Sequence, residues 1–287
     1  MLSKLSNMDL VARCVVEGSF TGMHPSPFHG FSVEYSEHRD YHPGDELKYL
    51  DWKMFGRSDK LYIKQFHQET NLTAYIMLDS SKSMAFASDK SVRKFDYASF
   101  IAAALSYLML GQNDSVGLVT FSDKITKVIP PTSRRTHLNL ILSTLQNNKP
   151  AGQTRLADVI HKVANMTTRR GLVILISDML DDVDDIYKAL AHLKYLNHDV
   201  LLMHTLDRQE LHLDYEGLIQ FEDMESNQTL RTFPQSVAES YRRRVESYIK
   251  DIETTAGKSG IDYCLLDTSL PLDKALISYL AKRKRML

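Results

Sequence analysis

Cysteine is nearly absent from this 287-residue chain: Cys14 and Cys264 stand alone, near opposite ends. Neither belongs to a CxxC pair, which excludes a zinc ribbon or a dithiol redox motif. Such sparse use fits a reducing, cytoplasmic setting. Long apolar runs are also missing. The longest, FIAAALSYLML from Phe100 to Leu110, includes Ser106 and Tyr107. It falls short of the roughly 20 residues that span a bilayer, so we expect no membrane insertion. The opening MLSKLSNMDLVARCVVEGSF has no sustained apolar core and does not read as a secretory signal. Without secretion, the Asn-x-Thr triplets at Asn71, Asn165 and Asn227 mean nothing as glycosylation sites.

An excess of either charge is lacking as well. Thirty-five Lys and Arg face 36 Asp and Glu, so nothing pulls the whole chain toward nucleic acid. Arg242-Arg243-Arg244 and Lys282 to Arg285 read as solvated surface, the second at a helix end where cations suit the dipole. No aromatic stacking platform accompanies them. A phosphate loop is missing too. Gly257-Lys258-Ser259 has Ile252 where the first glycine would stand, and it follows a helix. It reads as a helix C-terminal turn with Gly257 or Gly260 left-handed. Internal repeats and low-complexity segments are absent.

What is present is apolar material enough for a sizeable core, 43% of residues, in a regular alternation. Strands are expected at 72–78, 115–121, 172–177, 199–206 and 261–267, and helices at 94–111, 134–146, 155–166, 183–196, 235–256 and 272–284. Lys124 to Pro130 follows its neighbouring strand so closely that it must return as an antiparallel edge strand. GLIQFED and QTLRTF read as a hairpin. Strands alternating with helices imply an α/β fold, a doubly wound and mostly parallel sheet covered on both faces.

Residues 1–70 have another texture, and we expect a β- and turn-rich segment there, helical only over the first fifteen residues. Residues 71–287 form the α/β domain, with the hairpin inserted near 211–234. The early segment holds His24, His29, His38 and His42, whose spacing matches no compact zinc pattern. In it Arg39 is placed to pair with Asp45 or Asp51, with Trp52 as an anchor, a structural rather than catalytic set.

The informative feature is how the strand LTAYIMLD ends, in Asp79-Ser80-Ser81-Lys82-Ser83. Residues two apart in an extended chain project to one side, so Asp79, Ser81 and Ser83 converge. All are short oxygen donors, which hard cations such as Mg²⁺ prefer. Thr154, in the loop before a helix, and Asp178, after LVILIS, fall at the same sheet edge. Taken singly, each could be an ordinary turn or N-cap residue.

The ordered set resembles the metal-ion-dependent adhesion site of von Willebrand factor A domains, and the strand and helix order from Leu72 onward resembles that fold. The resemblance implies that Asp79, Ser81, Ser83, Thr154 and Asp178 hold Mg²⁺, or Mn²⁺ or Ca²⁺, with one position open for a partner protein's carboxylate. A narrower resemblance covers nearly the whole chain. GFSVEYSEHRDYHPGDELKYLDW, HDVLLMHTLDRQE and EGLIQFEDMES are similar to the signatures of domain-of-unknown-function family 58. Arg208 departs from a frequent proline and Lys48 from a frequent arginine. That family implies a partnership with a MoxR-type AAA+ ATPase and a substrate protein, in remodelling or complex assembly.

The leading expectation is thus a non-enzymatic interaction module. The alternative is a Mg²⁺-dependent phosphoester or phosphotransfer enzyme using the strand-end aspartate. Ser81 argues against it, because such enzymes resemble Asp-x-Asp at that place and a hydroxyl is a poor general acid or base.

Overall fold

The computed structural model describes Met8, residues 33–40, Leu50, and residues 54–56, 61–68, 72–88, 91–167, 169–224 and 228–272. Outside these lie the expected helices at the two ends of the chain, the side chains of the Arg39, Asp45, Asp51 and Trp52 set and of the early histidines, and the basic cluster at 282–285.

The chain divides into two compact units, residues 25–72 and residues 1–24 with 73–287. In the smaller unit, β1 (Val33–Asp40) and β2 (Tyr62–Gln68) pair antiparallel, with a register shift between Tyr35 and Glu37.

The larger unit runs β3 (Thr73–Asp79), α1 (Lys94–Gly111), β4 (Ser115–Phe121), β5 (Ile125–Thr132), α2 (His137–Asn147), α3 (Leu156–Met166) and β6 (Leu172–Ser177). It continues with α4 (Val183–Tyr195), β7 (Asp199–Leu206), α5 (Arg208–His212), β8 (Ile219–Glu222), β9 (Thr229–Thr232), α6 (Pro234–Lys258) and β10 (Asp262–Asp267). Six strands form one sheet in the order β10-β7-β6-β3-β4-β5, and β8 with β9 forms a separate antiparallel pair. All pairings in the main sheet are parallel except β4 with β5. This is the doubly wound, mostly parallel sheet with one antiparallel edge strand expected from the sequence. Pro130 and Pro131 sit in that edge strand, opposite the register shift between Val116 and Leu118, and edge strands and bulges are where a sheet tolerates proline. Gly117 lets β5 come close, since a Cβ there would stand 2.9 Å from the Ile129 carbonyl oxygen.

Both faces of the sheet are covered, so the central strands are apolar throughout rather than alternating; every residue of β6 is buried. On one face Met77, Val119, Phe121, Val173, Leu175, Val200 and Leu202 pack against α3, α4 and α6. Each large aliphatic side chain removed from water there contributes about 1.5–3 kcal/mol. The other face carries α1, which touches β3, β4, β7 and α2. Most of α1 is buried around its whole circumference, which explains its nearly unbroken apolar sequence. Among the described residues no helix is long and apolar enough to cross a membrane.

Helix α2 begins at His137 rather than Arg134, and residues 135–136 form a turn. Helix α6 ends at Lys258, and Gly260 follows with φ +65° while the Ile261 N–H returns to the Ala256 carbonyl. The Gly-Lys-Ser triplet is therefore a helix terminus.

Strand β3 lies at the centre, with β4 on one side and β6 on the other. The chain leaves β3 in one direction and later crosses back to build the opposite half. Ligand sites of open α/β sheets form at such a reversal, outside the carboxyl ends of the strands. Asp79 ends β3 and Asp178 follows β6, so both stand at that crevice.

Candidate functional site

Register fixes the first contact. Leu78 pairs with Ile176 in the β3–β6 ladder, so Asp79 and Ser177 come next as neighbours. The Ser177 hydroxyl donates to Asp79 Oδ2 at 2.6 Å and accepts from the Met179 N–H. The chain then turns sharply, so that the Ser81 N–H donates to Asp79 Oδ1 at 2.8 Å. A single 3₁₀ turn, Ser83–Ala85, brings the Ser83 hydroxyl within 2.9 Å of the Ser81 hydroxyl. Ser80 points elsewhere and donates to the Phe121 carbonyl. Asp79, Ser81 and Ser83 are thus one hydrogen-bonded oxygen cluster, and all three are buried.

Thr154 arrives from another loop. That loop is tied to the β3 turn by two backbone bonds, Ala151 N–H to the Ser80 carbonyl and Lys82 N–H to the Gly152 carbonyl. Gly152 has φ +84°, and a Cβ there would stand 2.9 Å from Ser122 Oγ. Only glycine meets both demands. Thr154 is half-buried, and the Leu156 N–H that opens α3 is capped by Asp181 Oδ2.

Asp178 is fully buried, and its carboxylate is already engaged. The Lys94 ammonium donates to Asp178 Oδ2 at 2.8 Å and to Glu210 Oε1 at 2.6 Å. Lys94 is completely buried at the first position of α1, and its Nζ lies 5.9 Å from the Phe86 ring centre. Glu210 closes a capping box: its Oε2 accepts from the Asp207 N–H, while Asp207 Oδ1 accepts from the Gln209 N–H. Asp207 also accepts from the Ser88 N–H and the Ser91 hydroxyl. Arg208 takes the first helical position, where proline is equally at home, so that departure leaves the helix intact.

Lys94, Glu210 and Ser177 were not among the residues expected from sequence. Lys94 had a signal: it shares a helical face with Ala98, Ile101 and Leu105, all buried. A lysine on an apolar stripe needs a partner. The capping box Asp207-x-x-Glu210 was a second signal.

The electrostatics follow from burial. Burial first, and then the charge of Asp178, push the Asp79 carboxyl up to about 7, against the hydrogen bonds from Ser177 and Ser81. Burial pulls the Lys94 ammonium down, but Asp178 and Glu210 outweigh it and hold the group above its ordinary value. Burial also pushes Glu210 up against the pull of Lys94. His204 lies under the site. A carbonyl can only accept, so its Nε2–H donates to the Asp178 carbonyl at 3.0 Å, and its Nδ1 accepts from Tyr263 OH at 2.9 Å. Burial lowers the His204 ring to about 4 and keeps it neutral.

The donors are oxygens throughout, as a hard cation requires. Among the described residues no three His, Cys, Asp or Glu side chains cluster as a metal group, so any fit rests on the hydroxyls beside the two acids. The unfavourable burial of the Asp79 carboxylate beside the charge of Asp178 is what a bound cation would relieve, and in that respect the residues fit one.

The family described as "Protein of unknown function DUF58" matches residues 37–253, about three quarters of the chain. This chain belongs to the DUF58 family. Asp79, Ser81, Ser83, Lys94, Thr154, Asp178 and Glu210 all fall inside the matched span. Uncharacterized proteins of Mycobacterium bovis and Mycobacterium tuberculosis are each 25% identical to this DUF58 chain over 292 residues, covering 99% of it and 90% of the relative. BatB, a conserved hypothetical protein of Bacteroides thetaiotaomicron, is a similar solved structure. It matches with a TM-score of 0.48 at 16% identity, over 75% of this chain and 99% of that one. An aerotolerance-related membrane protein of Bacteroides fragilis matches with a TM-score of 0.49 at 15% identity, over 75% and 100%.

Proposed function

We propose that this DUF58 chain is a non-enzymatic interaction module. Asp79, Ser81, Ser83, Thr154 and Asp178 hold a divalent cation, Mg²⁺ or else Mn²⁺ or Ca²⁺. The cation would supply an open coordination position for a carboxylate of a partner protein. The observation that carries this reading is the hydrogen-bonded cluster of Asp79, Ser81 and Ser83, set beside Asp178 at the sheet's reversal point. Hydroxyl donors are neutral and leave the ion its charge, which favours an incoming carboxylate over saturation by the protein's own acids.

An apolar cleft of about 300 Å³ lies beside Glu210, lined among others by Phe86, Leu213, Tyr215, Phe221 and Tyr241. The partner surface that suits both features is an acidic side chain with an apolar neighbour. The partner we propose, from the family resemblance, is a MoxR-type AAA+ ATPase acting with a substrate protein.

The test has two stages. Titration calorimetry with Mg²⁺ and with Mn²⁺ compares wild type with Asp79→Ala. Co-sedimentation with the purified MoxR-type ATPase of the same source is then run in Mg²⁺ with both forms. Cation binding and ATPase retention that both vanish in Asp79→Ala support the reading. Equal ATPase retention by both forms would mean that binding lies elsewhere on the chain.

A further inference from the structure

Lys94 is not one of the five proposed cation ligands, yet a lysine with no exposed side chain is among the rarest placements in a folded protein. Its position compounds the cost, because the start of α1 carries the positive end of the helix dipole. Two carboxylates from distant elements converge on it, Asp178 after β6 and Glu210 in α5. Glu210 is held in place by its capping bond to Asp207 and by Tyr241 OH, which donates to the Glu210 backbone carbonyl at 2.8 Å.

We propose that Lys94 is an internal counter-cation that competes with a divalent ion for Asp178, and that Glu210 sets how strongly it competes. The inference rests on the cation-site reading and adds its regulation. An ammonium on Asp178 Oδ2 takes donor capacity that a metal would use and places positive charge beside the ion. In return it keeps Asp178 paired when no cation is bound, so the site survives unloaded. Asp79, Asp178, Glu210 and Lys94 together carry a formal charge of two negatives, which one divalent ion balances. Such a site binds its cation reversibly instead of as a permanent structural ion. Glu210 draws the ammonium away from Asp178, so its removal strengthens the competition.

The test is direct Mn²⁺ binding, read from the electron paramagnetic resonance of free Mn²⁺ at fixed, mildly alkaline pH. It uses the full-length wild type, Lys94→Met, Glu210→Gln and the double variant Lys94→Met/Glu210→Gln. Circular dichroism verifies folding. Because the pair is a linkage, Lys94→Met should bind Mn²⁺ roughly fivefold tighter or more, and Glu210→Gln should bind weaker by a similar factor. The double variant has the formal charge of wild type and lacks one of the two stranded acids. It therefore folds more readily than Lys94→Met and separates competition from overall charge. It should still bind tighter than wild type.

Unchanged affinity in the folded double variant, with wild type binding Mn²⁺, overturns the counter-cation and leaves the cation site standing. Weaker binding in that variant overturns it as well, because Lys94 would then be positioning Asp178 for the ion. Binding by the double variant but not by wild type supports the proposal in its strongest form, with Lys94 standing in for the metal. No binding by any form defeats both readings.

Discussion

Asp79→Asn should stabilise the cation-free protein at neutral and alkaline pH, although it removes a residue at the heart of the site. In the folded chain the Asp79 carboxyl is pushed from 3.8 up to about 7 by burial and by Asp178. The folded protein therefore holds a proton between those values that the unfolded chain has released. Asp79 favours folding fully below its unfolded value, and that contribution is lost as pH rises toward about 7. At about 1.4 kcal/mol per pH unit, the loss across the window comes to about 4 kcal/mol. Asparagine imitates the protonated acid. Its carbonyl accepts from the Ser81 N–H as Asp79 Oδ1 does, and its amide meets Ser177 Oγ in a hydrogen bond of reversed direction, since in wild type the Ser177 hydroxyl donates. Urea unfolding followed by circular dichroism, in EDTA and over a pH series, gives the difference between wild type and Asp79→Asn. That difference should be small at the acid end and favour Asp79→Asn by up to about 4 kcal/mol at the alkaline end. Saturating Mg²⁺ should restore wild type and leave the variant unmoved, because a ligand stabilises only the form that binds it. A difference that stays flat with pH would refute the account of Asp79 as a carboxyl destabilised by burial.

Three further outcomes are expected. Lys94→Met in EDTA strands the buried Asp178 and the half-buried Glu210 carboxylates and should lose about 3–5 kcal/mol in urea unfolding, part of it returned by Glu210→Gln. His204, lowered from 6.5 to about 4, has the opposite pH sign to Asp79. The unfolded chain takes up the proton first, so stability falls by about 3 kcal/mol as pH drops through that window, and His204→Gln should abolish this part of the acid sensitivity. Gly152→Ala forces a Cβ into a left-handed conformation against Ser122 and should cost about 1–2 kcal/mol, with weaker Mg²⁺ binding in calorimetry as the Thr154 loop shifts.

Much of the sheet was legible because its signal is local. LVILIS is apolar at every position, and a strand buried on both faces must be. The short link after Phe121 left β5 no choice but to return. The candidate site was legible for a related reason. Asp79, Ser81 and Ser83 lie within five residues, and parallel strands deliver Asp178 to the same edge. Helix α5 was not legible, since RQELH is too short and too polar to show a period. What holds it is the capping box at its start, a two-residue signature rather than a pattern.

Lys94 marks where local reading fails in kind. Its partners lie 84 and 116 residues away, on elements whose positions only the assembled sheet decides. Nothing between Ser91 and Phe100 says which acids will meet the ammonium. Yet the lysine governs the site's chemistry as much as the motif does, because it settles the charge that a cation would find there. An oxygen motif states which atoms could bind an ion. The affinity belongs to the surrounding charges, and here the nearest is a buried ammonium 2.8 Å from one of the proposed ligands. The same strand-end motif can therefore bind a cation tightly in one chain and loosely in another. The position to compare between such chains is the start of the helix after β3, not the motif itself.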